Sequence, residues 1–97
     1  MKDKLMDENM KFLFRAILAL ETEEECANFF EDLCTMSEIK DMAQRLRVAQ
    51  MLREKHVYTA IVKETGASTA TISRVNRCLS YGADGYNAIL ERIEEKK

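Results

Sequence analysis

The fold is decided by residues 56–79, which read HVYTAIVKETGASTATISRVNRCL. A short helix is predicted over about residues 58–65, because Gly66 follows it and glycine readily takes the positive φ that closes a helix. Ser68 comes two residues later and is a favoured N-cap for a second helix. Two short helices joined by a tight turn that contains glycine are typical of a helix-turn-helix, which we assign to residues 57–79.

The second helix of this motif has an apolar face and a polar leading end. Ile72, Val75 and Leu79 recur on one face at helical spacing. In helix-turn-helix proteins the second helix enters the major groove of DNA, and its first turns face the base edges. Short side chains at those turns let the helix approach the bases closely. The predicted DNA-contacting residues are Lys63, Ser68, Thr69, Ala70, Thr71, Ser73, Arg74 and Arg77.

An ordinary helical hairpin, whose Ser and Thr residues only cap helix ends, would share parts of this pattern. The charge distribution argues for DNA binding, although a solvated basic helix face would look the same. Residues 40–79 contain eight Lys and Arg against three Asp and Glu, whereas residues 1–39 contain four against ten. Such a basic segment is the electrostatic footprint of a DNA-binding surface. We interpret Arg53 and Lys55 as clamping the flanking phosphates together with Lys63.

The N-terminal part of the chain is predicted to form two helices. The first, from about Lys4 to Leu20, is apolar around most of its circumference. Its main apolar stripe consists of Met6, Met10, Leu13, Phe14, Ile17 and Leu18. Thr22 is predicted to cap the second helix, since Glu25 three residues later completes a capping box. A chain of 97 residues can hardly enclose a helix as apolar as the first, so we predict a homodimer.

A third helix, from about Glu38 to Glu54, is predicted to be the central core helix. Thr35 together with Glu38, or Ser37 alone, is the expected cap. The apolar positions predicted to face the core are Ile39, Met42, Ala43, Leu46, Ala49 and Leu52.

The last helix is predicted over residues 83–95, after a turn from Ser80 to Gly85 in which Asp84 supplies the cap. The chain has no proline and three glycines, and residues that favour helices are plentiful. The predicted fold class is therefore all-α. We interpret the chain as a single domain of residues 1–97, in which residues 1–55 supply the dimerisation helices.

Several functional classes are excluded at this stage. No apolar run approaches the roughly 20 residues that span a bilayer, and the N-terminus lacks the layout of a signal peptide. We therefore predict a cytoplasmic protein without a membrane partner.

Cys26, Cys34 and Cys78 have no C-x-x-C spacing and are interpreted as small apolar core residues. With the single His56 they form no zinc set, so we expect no metal and no cofactor. No nucleotide-binding loop or nucleophile elbow occurs, and we predict that the protein is not an enzyme.

Residues 29–93 resemble the Trp repressor family, and within it the YerC/YecD-type branch. The matching strings are FFEDLCTMSEI, AQRLRVAQMLRE, ETGASTATISRVNRCLSYG and GYNAILERI. The last two are the most specific. The resemblance implies six helices and an intertwined homodimer in which the N-terminal helices of both chains interlock.

The resemblance also implies a candidate ligand pocket. In the tryptophan-sensing member, two arginines and a threonine hold the amino acid, and Arg45, Arg74 and Thr35 match those positions. The glycine after the second arginine is Val75 here, and the serine that helps hold the ligand's amino group is Cys78. A branched side chain fills space that the ligand needs and a thiol is a weak acceptor; each change costs on the order of 1–3 kcal/mol of binding. We predict no tryptophan response and leave open whether another small-molecule corepressor binds.

The sequence thus predicts a homodimeric, sequence-specific regulator of transcription, a repressor, that binds double-stranded DNA. The alternative is a helical protein-interaction adaptor that has kept the fold and lost DNA binding. The net charge of −2 keeps this alternative open, since it is modest for a DNA-binding protein.

Overall fold

The computed structural model describes residues 6–96, which form six α-helices and no β-strand. The helices are α1 (Glu8–Leu18), α2 (Glu23–Leu33), α3 (Met36–Arg53), α4 (Tyr58–Thr65), α5 (Thr69–Tyr81) and α6 (Gly85–Glu95). The predicted all-α fold class is confirmed. The chain divides into two compact units, an N-terminal unit up to Met36 and a C-terminal unit from Ser37. Within residues 6–96, no helix combines the length and the apolar character needed to span a bilayer.

Helix α1 begins where a carboxylate is available to cap it. Asp7 is the N-cap, and its Oδ1 accepts a hydrogen bond of 2.8 Å from the backbone N–H of Met10. The predicted start at Lys4 lies outside the described residues, and Met6 and Asp7 precede the helix. The helix also ends at Leu18 rather than Leu20. The apolar stripe alone did not reveal these ends, because hydrogen bonding at the caps sets them.

Helix α2 begins at the predicted capping box. Thr22 Oγ1 accepts from the backbone N–H of Glu25 at 3.0 Å. In return, Glu25 Oε1 accepts from the backbone N–H of Glu21 at 2.9 Å, one residue earlier than in the standard motif. The box that the sequence predicted is therefore present, with its reciprocal bond displaced by one residue.

Neither helix of the N-terminal unit contains a buried residue. Phe12 is 68% exposed and Leu18 is 84% exposed. Large apolar side chains that are left exposed over contiguous surface mark a contact with another molecule. Helices α1 and α2 therefore have apolar side chains that no described residue of the chain covers completely.

The C-terminal unit has a continuous core to which all four of its helices contribute. The buried residues are Val48, Ala49, Met51, Ile61, Ala67, Ile72, Val75 and Leu90. Ile61 and Ile72 have no exposed surface, and burying a side chain of this size stabilises the fold by roughly 1.5–3 kcal/mol. The core therefore fixes α4 and α5 against α3.

The buried face of α3 differs from the predicted one. Met42 and Leu46, both expected in the core, are each 38% exposed, whereas Val48 and Met51 are buried. Ala49 is buried as predicted. The difference arises because α3 has apolar residues on more than one side, and periodicity does not say which side the neighbouring helices cover.

Helices α3 and α5 are longer than predicted. Helix α3 begins at Met36, so Ser37 lies inside its first turn and does not cap it. Helix α5 continues through Ser80 to Tyr81, residues that the sequence analysis placed in a turn. It ends at Gly82, where a Cβ atom would lie 2.5 Å from the carbonyl oxygen of Cys78. The missing side chain of glycine permits this close approach and fixes the end of the helix.

Asn87 joins the C-terminal ends of α3 and α5 to α6. Its Oδ1 accepts from Arg53 Nη1 at 2.6 Å, and its Nδ2 donates to the Leu79 carbonyl at 3.1 Å. The same Nδ2 donates to Asp84 Oδ1 at 2.9 Å. Asp84 is at the N-cap position as predicted, but its side chain makes no bond to the backbone of α6. The expected cap is therefore replaced by a contact with Asn87.

The C-terminus of α3 is a Schellman motif with a lysine at the position that usually holds glycine. Lys55 has a φ of 68°. Its N–H donates to Leu52 O at 3.0 Å, and the N–H of His56 donates to Met51 O at 3.1 Å. A left-handed conformation is strained in any residue that carries a Cβ atom.

Replacing Lys55 with Gly is expected to raise the free energy of unfolding by about 0.5–1 kcal/mol, because it removes this strain. The measurement is urea denaturation at a fixed protein concentration. The control is Lys63→Gly, at an exposed lysine inside α4, which should lower the unfolding free energy by about 1 kcal/mol. Equal destabilisation by both variants would contradict the assignment of strain to Lys55.

Candidate nucleic-acid interface

The turn between α4 and α5 is held by hydrogen bonds on both sides of Gly66. Gly66 has a φ of 74°, as predicted, and its N–H donates to Val62 O at 2.9 Å. Thr65 Oγ1 donates to Ile61 O at 2.7 Å and accepts from the Ala67 N–H at 3.1 Å. These bonds fix the angle at which α5 leaves the turn.

A side chain of α3 also holds this turn, and its role was not predicted from the sequence. Gln44 Nε2 donates to the Thr65 carbonyl at 3.1 Å. Ala67, in the turn itself, is buried in the core of the C-terminal unit. The position of α5 is therefore determined by α3 as well as by α4. Only the long-range packing reveals this role, because Gln44 lies 21 residues before Thr65.

The leading end of α5 is capped as predicted. Ser68 Oγ accepts from the Thr71 N–H at 3.1 Å and donates to Thr71 Oγ1 at 3.1 Å. Ser68 is exposed and Thr71 is half-buried. The two hydrogen bonds between these predicted DNA-contacting residues therefore fix the N-terminal end of α5.

Three of the predicted DNA-contacting residues lie at the free surface of this end. Thr69, Ala70 and Ser73 are exposed, whereas Ile72 and Val75, on the opposite face of α5, are buried in the core. The structure thus presents short side chains outward and anchors the helix from behind. This arrangement lets the backbone of α5 come close to a ligand surface.

The cations of α5 are exposed and free of ion pairs. Arg74 and Arg77 are exposed, and neither forms a salt bridge with any residue between 6 and 96. Helix α5 contains no acidic residue. Its outward face is therefore electropositive, with two guanidinium groups that have their hydrogen-bond donors available for phosphate.

Lys63 occupies a different environment from these arginines. It is exposed in the last turn of α4 and lines a groove of about 650 Å³ together with Arg47, His56, Glu54 and Glu64. Arg47 is hydrogen-bonded to Gln50 on the same helix. The mixture of charges makes this groove less electropositive than the outward face of α5.

Arg53 is held by α6, in contrast to the predicted phosphate clamp. Besides Asn87, its guanidinium lies 4.0 Å from Glu91 Oε1 and 3.8 Å from Glu94 Oε2. Arg53 therefore joins α3 to α6 through the hydrogen bond to Asn87 and the two ion pairs. Lys55, the other predicted clamp residue before the motif, is exposed.

The residues of the predicted ligand pocket have different surroundings. Arg45 is half-buried on α3, Arg74 is exposed, and Val75 is 1% exposed in the core. Thr35 lies in the N-terminal unit. Cys78 is exposed and lines an open apolar cavity of about 480 Å³ in the C-terminal unit. The other residues that line this cavity are Leu46, Ala83, Asp84, Gly85, Tyr86 and Ile89.

The cysteines are less buried than predicted. Cys26 and Cys34 are half-buried, and Cys78 is exposed, so Cys78 is not a core residue. It lies on α5 between the buried Val75 and the half-buried Leu79, at the edge of the apolar face. Among the described residues, no group of His, Cys, Asp and Glu is arranged to hold a metal ion.

Comparison with known proteins agrees with this architecture. The family model of the Trp repressor protein matches residues 8–94. The uncharacterized protein YerC of Bacillus subtilis (strain 168) is 57% identical over 93 residues, which cover 96% of this chain and 89% of that protein.

Two crystal structures have closely similar folds. A TrpR-like protein from Eubacterium eligens ATCC 27750 superposes with a TM-score of 0.92 at 52% identity, covering 95% of each chain. A proposed Trp repressor from Staphylococcus aureus gives a TM-score of 0.91 at 51% identity, covering 95% of this chain and 92% of that one. The six-helix fold and the family implied by the sequence are thus confirmed, together with a regulator-type role rather than an enzymatic one. The chain belongs to the Trp repressor family and is related to YerC.

Proposed function

We propose that the protein is a homodimeric regulator of transcription that reads double-stranded DNA with α5 and acts as a repressor. The observation that carries the proposal is the outward face of α5. It has two exposed arginines that form no ion pair with residues 6–96, no acidic residue and a leading end of short side chains. Phosphate contacts supply affinity, and close approach of the leading end to the base edges supplies specificity.

Each predicted contact residue has a role in this proposal. Thr69, Ala70 and Ser73 face the bases, since small side chains permit close approach and the methyl groups of Thr and Ala fit the thymine methyl group. Arg74 and Arg77 bind phosphates or groove edges. The residues that orient or extend this surface are Lys63, Ser68 and Thr71.

Repression is proposed from the relatives together with the geometry. The Staphylococcus aureus relative is described as a proposed Trp repressor, and we extend that role to this chain. A dimer that binds two half-sites about one helical turn apart covers enough DNA to block another protein at a promoter.

The DNA-binding proposal predicts a steep dependence of affinity on salt. Fragments selected from genomic DNA by the wild-type protein should bind with an affinity that falls as salt rises, because Lys and Arg contacts release counterions. Replacing Arg77 with Ala should weaken binding and reduce the slope of log affinity against log salt by about 1. The measurement is fluorescence anisotropy across a salt series.

The matched control for this experiment is Arg92→Ala. Arg92 is an exposed arginine in the last turn of α6, so the variant loses the same charge from a helix other than α5. Its affinity and salt slope should equal those of the wild type. Equal weakening by Arg92→Ala and Arg77→Ala would indicate attraction by net charge alone. If the wild type selects no fragment at low salt, the adaptor alternative replaces the regulator.

The dimer is proposed because the N-terminal unit exposes large apolar side chains over both of its helices. Leu18 lies in the last turn of α1 and is 84% exposed. A second copy of the chain, with its own uncovered α1 and α2, offers a matching apolar surface across a two-fold axis. The share of the chain assigned to dimerisation, residues 1–55, is part of this proposal.

A Leu18→Gln variant is expected to weaken the dimer about a hundredfold or more. In a two-fold symmetric dimer the substitution removes one buried leucine from each subunit, and burial of each leucine contributes roughly 1.5–3 kcal/mol. Sedimentation equilibrium should give twice the 11.2 kDa chain mass for the wild type and a lower mass for the variant. Arg15→Gln, at an exposed polar position on the same helix, should leave the dimer intact. A monomeric wild type would refute the dimer.

We also propose that the protein does not respond to tryptophan. The glycine of the tryptophan-sensing member is replaced by Val75, whose side chain is 1% exposed and packs in the core of the C-terminal unit. This side chain occupies space that a glycine leaves open. Cys78, in place of the serine, offers a weaker hydrogen bond to an amino group.

Millimolar L-tryptophan is accordingly expected to leave the affinity for the selected DNA within about twofold of its value with glycine added instead, since a clash and a weakened hydrogen bond each cost on the order of 1–3 kcal/mol. The readout is the same anisotropy titration. A tenfold gain in affinity with tryptophan would contradict this proposal.

A further inference from the structure

Tyr81 lies at the end of the outward face of α5. Ala70, Arg74, Arg77 and Tyr81 follow one another at intervals of four, three and four residues, so they form one stripe along the helix. The buried face, which includes Ile72 and Val75, is on the opposite side. At 88% exposure, Tyr81 is the most exposed large apolar side chain among the described residues.

The position of Tyr81 is fixed by the fold. It is the last residue of α5 and does not belong to the following turn, because Gly82 is the C-cap and its N–H donates to Cys78 O at 2.9 Å. Two residues before Tyr81, the Leu79 carbonyl accepts a hydrogen bond from Asn87 Nδ2. The end of the helix is therefore anchored to α6, while the phenol ring points away from the core.

The chemistry of the stripe matches a nucleic-acid backbone. Arg74 and Arg77 form no ion pair with a described residue, and the helix has no carboxylate to repel a phosphate. A phenol donates a hydrogen bond to a phosphate oxygen, and its ring packs against deoxyribose. The 11 residue-to-residue steps from Ala70 to Tyr81 span about 16 Å along the helix. That length exceeds the roughly 12 Å width of the major groove.

We infer that Tyr81 is a further DNA-contacting residue, which hydrogen-bonds a backbone phosphate at the edge of the groove entered by the leading end of α5. The inference rests on the proposed function. It adds a neutral contact to those of the arginines, so it contributes affinity and register without adding to the salt dependence.

Two substitutions at Tyr81 separate the hydroxyl from the ring. Tyr81→Phe should weaken binding to the selected genomic fragments about tenfold, as expected for a lost hydrogen bond to a charged group. Tyr81→Ala should weaken it further, since the ring is lost as well. Both should keep the wild-type salt slope, whereas Arg77→Ala reduces it. Tyr86→Phe, which removes a hydroxyl from the half-buried tyrosine of α6, is the control and should bind like the wild type.

The outcomes distinguish this inference from the function on which it rests. If the wild type binds and Arg77→Ala weakens binding, but Tyr81→Ala binds like the wild type, the role of Tyr81 alone is refuted. A change in sedimentation mass for Tyr81→Ala would also refute it, because Tyr81 would then be part of a subunit contact. If the wild type binds no fragment, the proposed function itself fails.

Discussion

The functional surface of this protein depends on burying one face of α5. Ile72 and Val75 enter the same core as Ile61 of α4 and Val48 of α3, and all four are almost completely shielded from solvent. A helix with one buried face must present its other face outward. In α5 that outward face carries the small residues of the leading end, then the arginines, then Tyr81. The apolar contacts of the core thus determine which side chains of α5 face outward and are available for the proposed contact with DNA.

The two compact units differ in how much of their own apolar surface they bury. The C-terminal unit covers its own core and ties its helix ends together through Asn87 and Arg53. The N-terminal unit has no buried residue in α1 or α2. A unit that cannot shield its own apolar side chains gains stability from association. In the proposed dimer, assembly and folding of the N-terminal unit are therefore expected to be coupled, whereas α5 belongs to the unit that buries its own core.

The same core bears on regulation. In the family's tryptophan-sensing member a glycine follows the second arginine, and here Val75 fills that position and packs in the core. The valine side chain fills space that a glycine would leave open, and it adds to the buried apolar core. Cys78, one turn further along α5, lies at an open apolar cavity. An open cavity thus lies beside α5 in the C-terminal unit, while Val75 and Cys78 differ from the residues at these positions in the tryptophan-sensing member.

The sequence by itself determined the family, the all-α class, the caps at Thr22 and Ser68, and the turn at Gly66. These features depend on residues close together in the chain, and local hydrogen bonding and backbone sterics set them. Packing between helices accounts for the burial of Val48 and Met51 rather than Met42 and Leu46, and for the contacts of Arg53 with α6. It also accounts for the extension of α5 to Tyr81, a residue that the sequence placed in a turn. Each of these outcomes depends on which residues distant in the chain come into contact. The periodicity of apolar residues along one helix does not predict those contacts.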